Sequence, residues 1–209
     1  MTTAPSCRPP TLRSEFDESV ARPLHAALPP GGKTVNAPPI IKTPHLTGRR
    51  VQEGDLQYVL DSDSDIRIQR WLFGRVQTQE ESRERHVRWM QEWKEAGFGF
   101  WIFSDTQGAI VGHGGIFRSP REEGEIEVGY VIKPDHWSHG FATEITRASL
   151  DVGFEMGLRR IIAIAQLSNL ASRRVMEKCG MIFEAEMPSP DGINGVRYAI
   201  SNAAISNAD

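Results

Sequence analysis

An apolar run from Ile126 to Ile132 stops at Pro134, and a short loop follows, Trp137-Ser-His-Gly140. A helical pattern then sets Phe141, Ile145, Ala148 and Val152 on one face. A second, β-branched run occupies Arg160 to Ala165. A strand, a helix and a strand at this spacing make a right-handed crossover, so the two strands lie parallel and adjacent. Gly140 and the small Ala142 stand where the helix begins. The first backbone N–H groups of a helix lack internal partners and carry the positive end of its dipole. With no bulky side chain in the way, such a start suits a phosphate or pyrophosphate.

The rest of the chain does not repeat this unit. Leu46 to Val51 reads as a strand, Asp55 to Leu60 as a short helix, and Asp61-Ser-Asp-Ser-Asp65 as a polar turn. Thr78-Gln-Glu-Glu81 is a capping box that opens a helix to about Glu95, with Gly97 as its stop and Val87, Met90 and Trp93 on one face. Phe98 to Ser104 and Ala109 to Arg118 flank Asp105-Thr-Gln-Gly108 and read as a hairpin. Glu125 to Ile132 is a central strand. After Arg160 to Ala165 come a helix from Ala171 to Lys178, then strands at Met181 to Met187 and Gly195 to Ile200. This order predicts an α/β (α+β) fold. Its sheet is mixed and mostly antiparallel, flanked by helices, and one parallel pair splays apart.

Nine of the 13 prolines fall within the first 44 residues. Residues 1–39 therefore read as a proline-rich extension, with a short helix around Glu15 to Ala21, and residues 40–209 as one domain. Gly31-Gly-Lys-Thr34 is not a P-loop, because Ala27 replaces the required glycine and Pro29-Pro30 replaces the preceding strand. The net charge of -3 argues against a sequence-independent nucleic-acid binder. No apolar run approaches the ~20 residues that span a bilayer, and no signal peptide is legible. Two cysteines, Cys7 and Cys179, give neither a disulfide framework nor a zinc site, and the six histidines lack metal-ligand spacing. These features predict a cytoplasmic protein without a metal, as a monomer or homodimer. Gly112-His-Gly-Gly115 looks like an esterase oxyanion segment, but the chain contains no G-x-S-x-G elbow.

Three segments together resemble the GNAT acetyltransferase superfamily, within it the branch of ribosomal-protein N-terminal acetyltransferases. They are Glu127-Val-Gly-Tyr130 with Pro134, Trp137-Ser-His-Gly-Phe-Ala142, and Asn169-Leu-Ala-Ser-Arg-Arg-Val-Met-Glu-Lys-Cys-Gly180. The likeness runs over roughly residues 43–200, about one domain. It implies acetyl-CoA as donor and a primary amine as acceptor, either a protein or peptide N-terminus or a small molecule. It also implies that Trp137, Ser138, His139, Gly140, Phe141, Ala142 and Thr143 hold the pyrophosphate. Asn169 and the open edge of the 125–132 strand would meet the pantetheine arm, and a backbone N–H near Val131 the thioester oxygen.

The same resemblance assigns proton transfer. An alkylammonium must lose a proton before it attacks, and Glu127 is the expected acceptor, with Glu125 on the same strand face. Many relatives carry a tyrosine where this chain has Met176, which cannot donate a proton. The ribosomal-protein branch implies Ser172 in that role, with direct attack on a positioned thioester. The missing tyrosine and the proline-rich stretch also fit an alternative, an acyl-CoA-binding sensor or interaction module with impaired catalysis. The acceptor cleft is expected beside the capped helix and residues 66–76.

Overall fold

The computed structural model describes residues 36–189 and 193–202. The expected helix at Glu15 to Ala21 and most of the proline-rich stretch lie outside them. One eight-stranded sheet organises the chain. Its strands are β1 (Ile40–Lys42), β2 (Thr47–Arg50), β3 (Phe100–Ser104), β4 (Ile110–Arg118), β5 (Ile126–Ile132), β6 (Arg160–Gln166), β7 (Ile182–Met187) and β8 (Gly195–Ser201). Their spatial order is β1-β2-β3-β4-β5-β6-β8-β7, and every neighbouring pair is antiparallel except β5 with β6. The expected mixed sheet with one parallel pair is what forms.

The helices are α1 (Leu56–Ser64), α2 (Ile66–Gln69), α3 (Gln79–Ala96), α4 (Phe141–Glu155) and α5 (Leu170–Lys178). Helix α4 buries Ile145, Leu150 and Val152. They join a core that includes Trp101, Phe103, Ile116, Ile161 and Tyr198. Removing this apolar surface from water is the main favourable contribution to folding, at roughly 1.5–3 kcal/mol for each large side chain.

Two local readings change. Asp61 to Ser64 is the last turn of α1, not a polar turn, and α2 follows it directly. Low helix propensity is overridden because Ser62 and Asp63 are buried: Gln69 donates to the Ser62 carbonyl at 3.1 Å and to Asp63 Oδ1 at 3.1 Å, and Arg85 pairs with Asp63. In α3 the expected capping box forms, but Val87 is exposed, and the buried residues are Ser82, His86, Trp93 and Ala96. Ser82 and His86 tolerate burial because their polar atoms reach the Thr78 and Gln52 carbonyls. Gly112-His-Gly-Gly115 lies inside β4. A Cβ at Gly115 would sit 2.2 Å from the Gly99 carbonyl oxygen, and one at Gly112 2.1 Å from that of Val131. These glycines serve close strand approach, and His113 faces Tyr58 and Trp89.

Candidate functional site

The site grows out of the parting of β5 and β6. Their register contains one ladder pair, Glu127 with Ile162. Beyond it β5 stays paired to β4 as far as Ile132, while β6 turns away to pair with β8. One edge of β5 therefore opens into a wedge with Glu127 at its apex. Strand alternation fixes which backbone groups face the opening. Lys133 donates its N–H to the Val111 carbonyl at 2.9 Å, and the Glu125 carbonyl accepts from Ser119 at 2.9 Å. Odd-numbered residues of β5 thus turn toward β4, and Val131 is one of them. The expected donor near Val131 shifts to its neighbours Tyr130 and Ile132, whose N–H groups face the wedge. The Ile132 carbonyl also faces that way, because it accepts from the Trp137 indole at 2.8 Å.

That hydrogen bond anchors the loop leading to α4. His139 Nδ1 donates to the Trp137 carbonyl at 2.8 Å, and its ring stacks on Phe141. Ser138 adopts φ 66°, uncommon for a residue with a side chain, and Gly140 sits at φ 83° as the N-cap of α4. The cap supplies no side-chain acceptor, so the leading amides of Phe141, Ala142 and Thr143 are left for a ligand. A Cβ built on Gly140 would meet nothing within 4 Å. An open surface above uncapped helical amides matches what a pyrophosphate requires.

The first turn of α4 also carries Glu144, an acid beside this anion-favouring end. Its Oε1 accepts from the Thr43 hydroxyl and, at 2.9 Å, from the His45 N–H; Oε2 pairs with His45 Nδ1 at 2.9 Å. Burial alone would raise the carboxyl's ionisation, but these hydrogen bonds outweigh it and hold the carboxyl below its ordinary value of 4.5. A depressed folded pKa stabilises the protein above the ordinary value, and that stability is lost as pH falls through the folded one. Glu144→Gln is expected to lower the melting temperature at pH 7 and to flatten its fall below about pH 4.5. A series of thermal melts from pH 7 to roughly pH 3 measures this.

On the other side of the wedge, Asn169 caps α5, its side-chain oxygen accepting from the Ser172 N–H at 3.1 Å. Its oxygen is thus committed to the helix, and the NH₂ remains to donate to a ligand. The Ser172 hydroxyl lies 3.3 Å from that of Tyr130 on β5. Met176 is buried in the core. The sequence reading gave Tyr130 no chemical role. Strand alternation would have found it, because Tyr130 lies on the face opposite Glu127 and thus turns toward α5.

Glu127 is 2% exposed and accepts from Ser119 Oγ at 2.8 Å and Arg121 Nη2 at 3.0 Å. Burial pushes its ionisation up, while Arg121 and Ser119 pull it down. Burial prevails because the Arg121 side chain is 51% exposed and water screens its charge. Glu125 instead pairs with Arg160 at 3.2 Å, on the side of the Glu127–Ile162 pair away from the opening. On the face of β5 that carries Glu127 and Val131, His113 is wrapped by Trp89 and Phe100 and shares a 2.8 Å hydrogen bond with Tyr58. Burial, then the nearby Arg85, push the ionisation of His113 down to about 3, so it is a neutral imidazole at physiological pH. Trp93 packs edge-on against Trp101 in the core, and Arg70 lies over the Trp71 ring.

Residues 45–182 match the family described as Acetyltransferase (GNAT) domain. The chain is 32% identical over 142 residues to the uncharacterized N-acetyltransferase YnaD of Bacillus subtilis, covering 68% of this chain and 81% of that one. It is 28% identical to FsC-acetyl coenzyme A-N(2)-transacetylase of Aspergillus fumigatus, covering 80% and 78% respectively. Among solved structures, a GNAT-family acetyltransferase from Bacillus anthracis superposes with a TM-score of 0.64 at 30% identity, over 78% of this chain and 98% of that one. The chain belongs to the GNAT acetyltransferase family and is an acyltransferase.

Proposed function

We propose that the protein transfers an acetyl group from acetyl-CoA to a primary amine, by direct attack of the amine on the thioester. The observation that carries this reading is the continuity of one wedge: uncapped α4 amides at its mouth, unpaired β5 N–H groups along its wall, and a buried carboxylate at its apex. Phe141, Ala142 and Thr143 bind phosphate oxygens through their amides. Trp137, Ser138 and His139 shape the loop, and Gly140 leaves it open. The N–H groups of Tyr130 and Ile132 and the Asn169 NH₂ serve the pantetheine arm and the thioester oxygen. Glu127 takes the ammonium proton, directly or through one water. The amine nitrogen bonds to the acyl carbon, the carbon–sulfur bond breaks, and the nitrogen sheds its second proton to water, balancing the proton that the thiolate takes up. Ser172 offers its hydroxyl to the departing sulfur.

The acceptor we infer is a peptide N-terminus or a small-molecule amine.

Calorimetry with CoA, together with free-thiol release from acetyl-CoA over a panel of peptides, mono-amines and polyamines, tests the reading. CoA binding with turnover on at least one of these amines is the expected result. Binding without turnover on any amine would turn the assignment to an acyl-CoA sensor, and absence of binding would remove the wedge as the donor site. Ser172→Ala should reduce kcat by roughly 10–100-fold, the range for losing a hydrogen bond to a charged group. It should leave the affinity for CoA within about twofold.

A further inference from the structure

Two hydroxyls meet across the wedge, one from each arm. Tyr130 comes from β5 and Ser172 from the first turn of α5, and their oxygens are 3.3 Å apart. A phenol is more acidic than an alcohol, so Tyr130 is the donor and the Ser172 oxygen the acceptor. Ser172 has one hydrogen of its own. Among the described residues no protein acceptor takes it, although a serine in the first turn of a helix often bonds back to the chain. The Ser172 backbone is fixed as well, because its N–H is held by Asn169. With the Tyr130 hydrogen occupying one side of the serine oxygen, the serine hydrogen is left to point away from Tyr130.

We propose that Tyr130 is a positioning residue that aims the Ser172 hydroxyl at the leaving sulfur, fulfilling through two side chains the need that Met176 cannot meet. The proposal rests on the acetyl-transfer reading for the identity of the leaving group. No net proton transfer is required of either residue. As the carbon–sulfur bond breaks, the electron pair stays on sulfur, Ser172 donates a hydrogen bond to it, and Tyr130 donates one to Ser172. The thiolate takes its proton from water on release. At 3.3 Å the pair is longer than a relaxed O–H···O bond. Hydrogen bonds in a chain reinforce one another, so a developing thiolate would tighten both. Burial raises the ionisation of Tyr130, which keeps it a neutral donor through the working range.

The test compares wild type, Tyr130→Phe, Ser172→Ala and the double variant. The first readout is the ultraviolet titration of the thiol of bound CoA, which needs no turnover. A hydroxyl aimed at sulfur stabilises the thiolate, so the bound thiol in Tyr130→Phe should hold its proton about tenfold more tightly and titrate roughly one pH unit above wild type. Ser172→Ala should shift it at least as far, and the double variant no further than Ser172→Ala alone. The second readout is kinetic: kcat falls about tenfold in Tyr130→Phe, with the acetyl-CoA KM within about twofold. A titration and kcat like wild type in Tyr130→Phe, or an effect that simply adds to that of Ser172→Ala, overturns the proposal. If CoA binds but no amine is acetylated, the acetyl-transfer reading fails while the titration still decides the hydroxyl pair. If CoA does not bind at all, both fall. Tyr130→Phe keeps the ring, and thermal melts of both single variants separate a folding defect from the loss of aim.

Discussion

Glu127→Gln lowers kcat by about 100-fold while the affinity for CoA stays within about twofold, if Glu127 is the proton acceptor. The substitution preserves shape and removes the ability to take a proton, together with the ion pair to Arg121. Wild-type Glu127 is 2% exposed, and burial raises its ionisation toward neutral pH, which makes it a stronger base than a solvated carboxylate. A base works only when deprotonated, so kcat/KM of the wild type should fall on the acidic side of that raised pKa. In Glu127→Gln this acidic limb disappears. Arg121 lowers the ionisation of Glu127 by its charge and by its hydrogen bond. Arg121→Ala removes both, so the acidic limb should move to higher pH. A pH–rate profile of the three proteins reads all of these outcomes. If Glu127→Gln keeps kcat within about threefold, Glu127 is a structural partner of Arg121 and Ser119, and a water takes the proton unaided.

The wedge was legible in the sequence because three independent signals coincide there. Pro134 ends β5, Gly140 opens α4, and the strand–helix–strand order running to residues 160–165 calls for a parallel pair. Each rests on local backbone physics that tertiary context does not overturn. What escaped the sequence depends on contacts between distant segments. The run at Asp61 to Ser64 reads as a turn by propensity, yet it is helical, with Gln69 and Arg85 holding the Ser62 carbonyl and the Asp63 carboxylate from other helices. Val87 satisfies helical spacing on α3 but faces water, since His86 finds the Gln52 carbonyl and is buried in its place. The direction of the Val131 N–H is a matter of register with β4, which is set by the ladder and not by the identity of residue 131. Tyr130 and Ser172 are 42 residues apart and belong to no common motif, so their meeting is a property of topology alone.

The second large effect concerns Gly140. Gly140→Val should raise the dissociation constant for CoA by about 100-fold, the result of losing roughly two charge-assisted hydrogen bonds between helical amides and phosphate. Two costs must be separated. At φ 83° any L side chain is strained, by about 1–2 kcal/mol, whether or not a ligand binds. Occlusion of the α4 amides is a different cost, felt only by the ligand. Gly108 in the β3–β4 turn supplies the control. It has the same φ of 83° and, like Gly140, would place a Cβ where no atom lies within 4 Å, but it stands in the β3–β4 hairpin turn and caps no helix. Gly108→Val and Gly140→Val should therefore lose similar thermal stability, while only Gly140→Val loses affinity for CoA. Equal affinities in the two variants would mean that the phosphates bind elsewhere. Affinity lost equally in both would mean that backbone strain, spread through the sheet, had been mistaken for occlusion of the loop. The pair of substitutions thus asks of one glycine whether its missing side chain serves the fold or the ligand, with the backbone conformation held constant.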